Sequence, residues 1–152
     1  MSVAVRAAGP ADVDALALLR RQWRVERHGI ALDADPGFEQ LFAIWYADQL
    51  GNGSQAWIAY YGADPVGMLL MFVHERMPDP DREPGGWGYI GNVFVLPGHR
   101  DSGVGRLLLD AAVTYADGKG FARLVLNPTA RSVPFYVRAG FSSDHPLLVR
   151  EP

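Results

Sequence analysis

Residues 92–106 read NVFVLPGHRDSGVGR, and the apolar run Leu107-Leu108-Leu109 follows directly. The β-branched and aromatic triplet Val93-Phe94-Val95 reads as a strand. Pro97 ends it, and a polar loop with His99 and Arg100 leads into Gly103-Val104-Gly105 and a helical pattern. Strand, glycine loop and helix together bring unpaired backbone N–H groups to a helix N-terminus, where orphan donors and the helix dipole both favour an anion. Glycine lets an oxygen approach those amides with no Cβ in the way. The stretch therefore predicts a phosphate site.

Outward from it, the elements alternate. Residues 2–7 alternate as a strand closed by Gly9-Pro10, and residues 11–27 place Val13, Leu16, Ala17, Arg20, Trp23 and Arg24 at helical spacing until Gly29. A second helix is expected from Phe38 to Gly51. Its aromatic stripe, with Phe42, Trp45 and Tyr46, serves either as core or as a pocket wall. Strands at 55–61 and 66–75, joined by a short turn, pair antiparallel. A proline-rich acidic loop at 77–86 leads to a central strand at 87–95. After the glycine loop come a helix over 103–117, a strand at 122–126 parallel to the central one, a helix capped by Thr129 and running to 139, and a closing strand at 147–150. The fold class is α/β: a mixed α+β sheet of six to seven strands, flanked by about four helices, in one domain spanning 1–152.

With 152 residues, 49% of them hydrophobic and 20% charged, the chain can bury one sizeable core. A net charge of −3 and a pI near 5.7 argue against a nucleic-acid partner. The arginines at 20, 21, 24 and 27 are expected on a solvated helix face. Without cysteine there is no disulfide framework, thiolate nucleophile or Cys-ligated metal, and His28, His99 and His145 have no metal-ligand spacing. No apolar run approaches the ~18 residues of a membrane span, so a soluble cytoplasmic protein is the expectation.

The loop lacks the third glycine of a dinucleotide fingerprint and the lysine of a nucleoside-triphosphate loop. Arg100 and Arg106 flank it instead, and two guanidiniums with several amides suit a pyrophosphate. The plainer reading is a capped helix with two solvated arginines.

The segment from Val95 to Arg106 resembles the acetyl-CoA loop of the GCN5-related N-acetyltransferases, V-x-P-x-x-R-x-x-G-x-G or A, and Phe135-Tyr136-Val137-Arg138-Ala139-Gly140-Phe141 resembles that family's late F-Y-x-x-x-G-F segment. The order of elements matches the family over essentially the whole chain. The resemblance implies a GNAT-like acyl-CoA N-acyltransferase fold with acetyl-CoA as donor substrate. It implies that the backbone of Val93, Phe94 and Val95 bonds the pantetheine arm, and that the amides of Ser102, Gly103, Val104, Gly105 and Arg106 hold the pyrophosphate. Arg100, Asp101, Asn127, Thr129, Ser132 and Tyr136 complete the implied cofactor-binding set. Two positions depart from the pattern. Asp101 places a carboxylate beside the phosphates, pointing to solvent or pairing with Arg100 or His99. Thr129 replaces a frequent asparagine and offers a hydroxyl to the cofactor or a helix cap.

Acetyl transfer to an amine needs a neutral amine, a donor to the developing oxyanion and a proton for the leaving thiolate. A strand amide, at Val95, suits the second role. By resemblance Tyr136 is the general acid, the bland alternative being a core aromatic. The general base is not legible: candidates are Glu75, Asp81, Glu83, His74, Asn92 and Tyr89, and the carboxylates among them hint at a cationic acceptor. The function expected is transfer of an acetyl group from acetyl-CoA to a primary amine, on a small molecule or peptide, by direct attack in a ternary complex. The alternative is a non-catalytic acyl-CoA-binding sensor or assembly module. The resemblance also allows a homodimer.

Overall fold

Residues 66–71 form an apolar run with no polar interruption, the pattern of a strand covered on both faces, and they lie in the middle strand of a five-stranded mixed sheet. The computed structural model describes residues 2–152. Its strands are β1 (Val3–Ala7), β2 (Gln55–Tyr61), β3 (Asp64–Glu75), β4 (Gly86–Val95) and β5 (Leu124–Leu126), in that spatial order. Pairing is antiparallel from β1 to β4, and β5 lies parallel to β4. The α-helices are α1 (Val13–His28), α2 (Phe38–Gly51), α3 (Val104–Gly118) and α4 (Val133–Arg138). Among the described residues no helix is long and apolar enough to cross a membrane.

Side chains alternate across the sheet, so β3 feeds two cores. Met68 and Leu70 pack with Leu16, Leu19, Phe42 and Tyr46 beneath α1 and α2. Leu69 and Met71 pack with Ile90, Leu108 and Leu109 beneath α3. On α3 it is Leu109, fully buried, rather than the half-exposed Leu107, that faces the sheet.

Of the four α1 arginines expected on a solvated face, Arg27 is exposed, Arg20 and Arg24 are partly buried, and Arg21 leaves that face altogether. Arg21 is buried, donates to both Glu39 carboxylate oxygens at 2.6 and 2.9 Å, and also bonds the carbonyls of Leu32 (3.0 Å), Ala34 and Asp35 (2.9 Å). It fastens the α1–α2 connection. Arg20 is partly buried and reaches Asn92 on β4. Near β1, Arg6 grips Asp12 through two 2.8 Å bonds, while Asp12 also caps the Gly9 amide at 2.8 Å.

In β4 the register slips by one: Leu70 pairs with Asn92 but Met71 with Ile90, so Gly91 is a bulged residue. Ile90 and Asn92, two positions apart, consequently lie on opposite faces, one under α3 and the other against α1. A Cβ at Gly91 would come within 2.5 Å of the Phe72 ring. Pairing with β5 ends at the Ile90–Leu126 position, so the remainder of β4 has no strand beside it on that edge.

Three expectations need correction. The sheet has five strands, not six to seven, because residues 147–150 form none: Leu148 is 98% and Val149 83% exposed. Local bonds from the Asp144 amide to Ser142 Oγ and from the His145 amide to Ser143 O turn the chain, and Pro146 lacks an amide for a ladder. The middle strand is β3 rather than β4, and β5 is three residues long rather than five.

Candidate active site

Beyond β4 the chain makes a short 3-10 turn, Pro97–His99, and then passes through two left-handed residues, Asp101 (φ 58°) and Gly103 (φ 88°), into α3. A Cβ on Gly103 would meet nothing within 4 Å, so glycine is required there for its backbone angle and not for space. Ser102 Oγ donates to His99 O at 2.7 Å and tightens the turn. The Leu107 amide bonds Gly103 O at 3.0 Å, which leaves the amides of residues 103–106 at the N-terminus of α3 without intrahelical acceptors.

The free edge of β4 continues this donor set. The Leu96 amide bonds Val66 O on β3, so the two-residue alternation of a strand turns the backbone of Phe94 toward β3 and that of Val93 and Val95 toward the open edge. Arg100 Nε occupies the Val95 carbonyl at 2.8 Å. The Val93 amide and carbonyl and the Val95 amide remain on the edge. Phe94 contributes a buried ring rather than backbone groups.

Both surfaces open into a cleft of about 720 Å³ bounded by β4, the loop, the approach to α4 and the end of α1. Val93, Phe94, Val95, Arg100, Asp101, Gly103, Val104, Gly105, Arg106, Thr129, Ser132 and Tyr136 all line it, whereas Ser102 and Asn127 do not. Thr129 is a cap: its hydroxyl accepts from the Ser132 amide at 3.3 Å and donates to Ser132 Oγ at 3.0 Å. Asp101 is exposed and makes no bond to Arg100 or His99. Arg100 instead holds Glu26 of α1 through both carboxylate oxygens, at 2.7 and 2.8 Å, and Arg106 holds Asp110 at 2.8 Å.

The guanidiniums in the cleft with no carboxylate partner among the described residues are Arg27, Arg131 and Arg138. Arg131 and Arg138 were missed in the sequence. Arg131 lies outside the motifs and Arg138 takes a variable position of the F-Y-x-x-x-G-F segment, so only the turn into α4 and the end of that helix bring them to the cleft. Tyr136 packs edge-on against Phe135 and Phe141, with centroids 5.0 and 5.7 Å away. Burial pushes its phenol pKa up, so the hydroxyl stays protonated.

The candidate bases are not gathered here. Glu75 pairs with Gly86 at the start of β4, so Glu75 and the loop carrying Asp81 and Glu83 lie roughly 23 Å along the strand from Val93, at ~3.3 Å per residue. That loop is tied by Arg76, which donates to Glu83 O at 2.7 Å. His74 stacks on Trp87 at 4.5 Å. Tyr89 and Asn92 sit nearer, and Asn92 Oδ1 accepts from Arg20 at 3.3 Å. A second, smaller cavity of about 160 Å³ adjoins Arg20 and Asn92 and is walled by Phe42, Trp45 and Phe72. The aromatic stripe of α2 is thus both core and pocket wall. Among the described residues no group of His, Cys, Asp and Glu is arranged to hold a metal ion.

Residues 14–141, from α1 past the end of α4, match the profile of the acetyltransferase (GNAT) family. The chain belongs to that family. The N-acetyltransferase YjcF of Bacillus subtilis (strain 168), itself described as uncharacterized, is 33% identical to this GNAT chain over 94 residues, which are 62% of this chain and 60% of that protein. A predicted acetyltransferase from Clostridium acetobutylicum, solved with acetyl-CoA, superposes with a TM-score of 0.76 at 21% identity, covering 99% of this chain and 96% of that one. A GCN5-related N-acetyltransferase from Ralstonia eutropha JMP134 gives 0.73 at 24% identity, with 99% of both chains covered. At these identities the two structures establish a shared GNAT fold.

Proposed function

We propose that this GNAT chain transfers the acetyl group of acetyl-CoA to a primary amine by direct attack in a ternary complex. The observation that carries the reading is the continuity of the open β4 edge with the free amides at the start of α3, in the cleft that Tyr136 also lines. The edge offers the Val93 carbonyl and the Val95 amide to the amide groups of a pantetheine arm, as an added strand would, and leaves the Val93 amide for the thioester oxygen. The amides of residues 103–106, with the helix dipole, suit a pyrophosphate. Arg131 and Arg138 supply cations for the phosphates that Arg100 and Arg106, already paired, do not.

In the reaction the neutral amine attacks the thioester carbon, and an amide on the β4 edge stabilises the oxyanion. The C–S bond then breaks, and the sulfur takes the electron pair. A thiolate whose conjugate acid lies near pKa ~8.5 is a weaker base than a phenolate near ~10, so Tyr136 acts as a hydrogen-bond donor to the developing thiolate. The ammonium proton leaves to solvent, since the carboxylates lining the cleft are Glu26, held by Arg100, and the exposed Asp101. The rate should therefore rise with pH along the amine's own titration, with no additional enzyme carboxylate in the profile.

Thermal stabilisation by acetyl-CoA, run beside CoA release over a panel of amines, tests the reading. Stabilisation together with amine-dependent release supports it. Stabilisation without release on any amine points to a non-catalytic acyl-CoA binder, and no stabilisation removes the CoA reading altogether.

A further inference from the structure

Arg20 is a partly buried cation without a carboxylate partner among the described residues, whereas Arg6, Arg21, Arg100 and Arg106 each have one at 2.6 to 2.8 Å. Its contacts are Asn92 Oδ1 at 3.3 Å and the face of the Trp23 ring at 4.1 Å. Burial, and then the neighbouring Arg24, disfavour its charge. Beside it, Asn92 Nδ2 is buried with no hydrogen-bond partner. Since Asn92 Oδ1 is turned to Arg20, that nitrogen is a donor without an acceptor. A guanidinium without a carboxylate and an amide N–H without an acceptor, on neighbouring side chains, suit one carboxylate, with an oxygen for each.

The cavity these two donors line is otherwise apolar, walled by Phe42, Trp45, Phe72, Met68 and Leu70. Its volume of about 160 Å³ is on the scale of cavities that hold one benzene ring, ~150 Å³. It also adjoins the reaction cleft: Asn92 immediately precedes Val93 on the β4 edge, and Trp23, under Arg20, lines the larger cleft. The acidic loop lies at the other end of β4, so its carboxylates do not select the group that binds here.

We infer that this cavity is the acceptor site and that the acceptor is a free amino acid with one apolar side chain, its carboxylate held by Arg20 and Asn92 and its side chain by the aromatic wall. The inference rests on the proposed acetyl transfer and names the substrate class for it. Arg20 and Asn92 bind the acceptor and take no part in bond breaking, so their loss acts on acceptor KM.

The test compares CoA release on matched pairs that differ only in the carboxylate, leucine against 3-methylbutylamine and phenylalanine against 2-phenylethylamine, in the native protein, Arg20→Gln and Arg20→Lys. The expected result is at least a tenfold higher kcat/KM for the amino acid of each pair. Arg20→Gln should raise the leucine KM at least tenfold with acetyl-CoA KM unchanged, and Arg20→Lys should recover part of the loss. Equal or faster release on the decarboxylated amines, or an unchanged leucine KM in Arg20→Gln, overturns the inference while acetyl transfer stands. Calorimetric titration of leucine into native protein and Arg20→Gln, without acetyl-CoA, decides the site even if no CoA is released. Binding that is lost in the variant supports it, and no binding to the native protein overturns it.

Discussion

Tyr136 lies in the late F-Y-x-x-x-G-F segment, yet its protonation state follows from burial among Phe135 and Phe141, which the sequence does not display. Tyr136→Phe keeps that packing and removes only the hydroxyl. Steady-state kinetics should show kcat lowered about 10- to 100-fold with acetyl-CoA KM within a factor of two, the signature of a group used in the transition state alone. Asp101 occupies a left-handed backbone position with its carboxylate unpaired at the mouth of the cleft. Asp101→Gly relieves that backbone and removes the charge. It should tighten acetyl-CoA about fivefold by calorimetry, the factor for ~1 kcal/mol of repulsion between charges ~4 Å apart in water. Asp12 gives the pH dependence of stability. The Arg6 guanidinium, followed by the Gly9 amide and the Tyr60 hydroxyl, holds its carboxyl at about 2 against an unfolded value of ~3.9. Its folded pKa is depressed, so its contribution is full above pH ~4 and is lost as pH falls through about 2. The gap between the urea midpoints of native protein and Asp12→Ala should be widest at pH 5, narrow by pH 2.5 and narrow further below the folded pKa of about 2.

At the scale of elements, the passage from β4 through the loop to α3 was legible because a β-branched triplet, a proline, two glycines and an apolar helical stripe each mark a boundary by local chemistry. The Gly91 bulge was not, because a single glycine in a strand does not say which neighbour it must avoid. Only the Phe72 ring beside it does. Arg21 was misread for the same reason. Its helical position is local, but its partners Glu39 and the carbonyls of the α1–α2 connection lie 11 to 18 residues away. Arg21→Gln frees that connection and should lower Tm by several degrees in a thermal melt, while Glu39→Gln, which leaves the carbonyl bonds in place, should lower it less. Leu108, fully buried between α3 and the sheet, should cost about 2–5 kcal/mol on substitution by alanine, measured by urea unfolding.

Over the whole molecule, the order of helices and strands followed from periodicity and turn residues, and the two halves of the cleft followed from their motifs. What the chain did not disclose is what only tertiary contact creates. The end of the sheet depends on whether residues 147–150 find a ladder, and the turn at 142–145 and Pro146 leave them without one. The unpaired cations Arg131 and Arg138, and the Arg20–Asn92 pair 72 residues apart, become meaningful only when helices and β4 meet around two adjoining cavities. The most direct measurement is mass spectrometry of an amine panel incubated with acetyl-CoA and purified protein, with free CoA quantified in the same samples. Acetyl transfer predicts at least one amine that gains the mass of a single acetyl group, in a protein-dependent amount equal to the CoA released and sharply reduced in Tyr136→Phe. Protein that is stabilised by acetyl-CoA but acetylates no amine in the panel, apolar amino acids included, would contradict it.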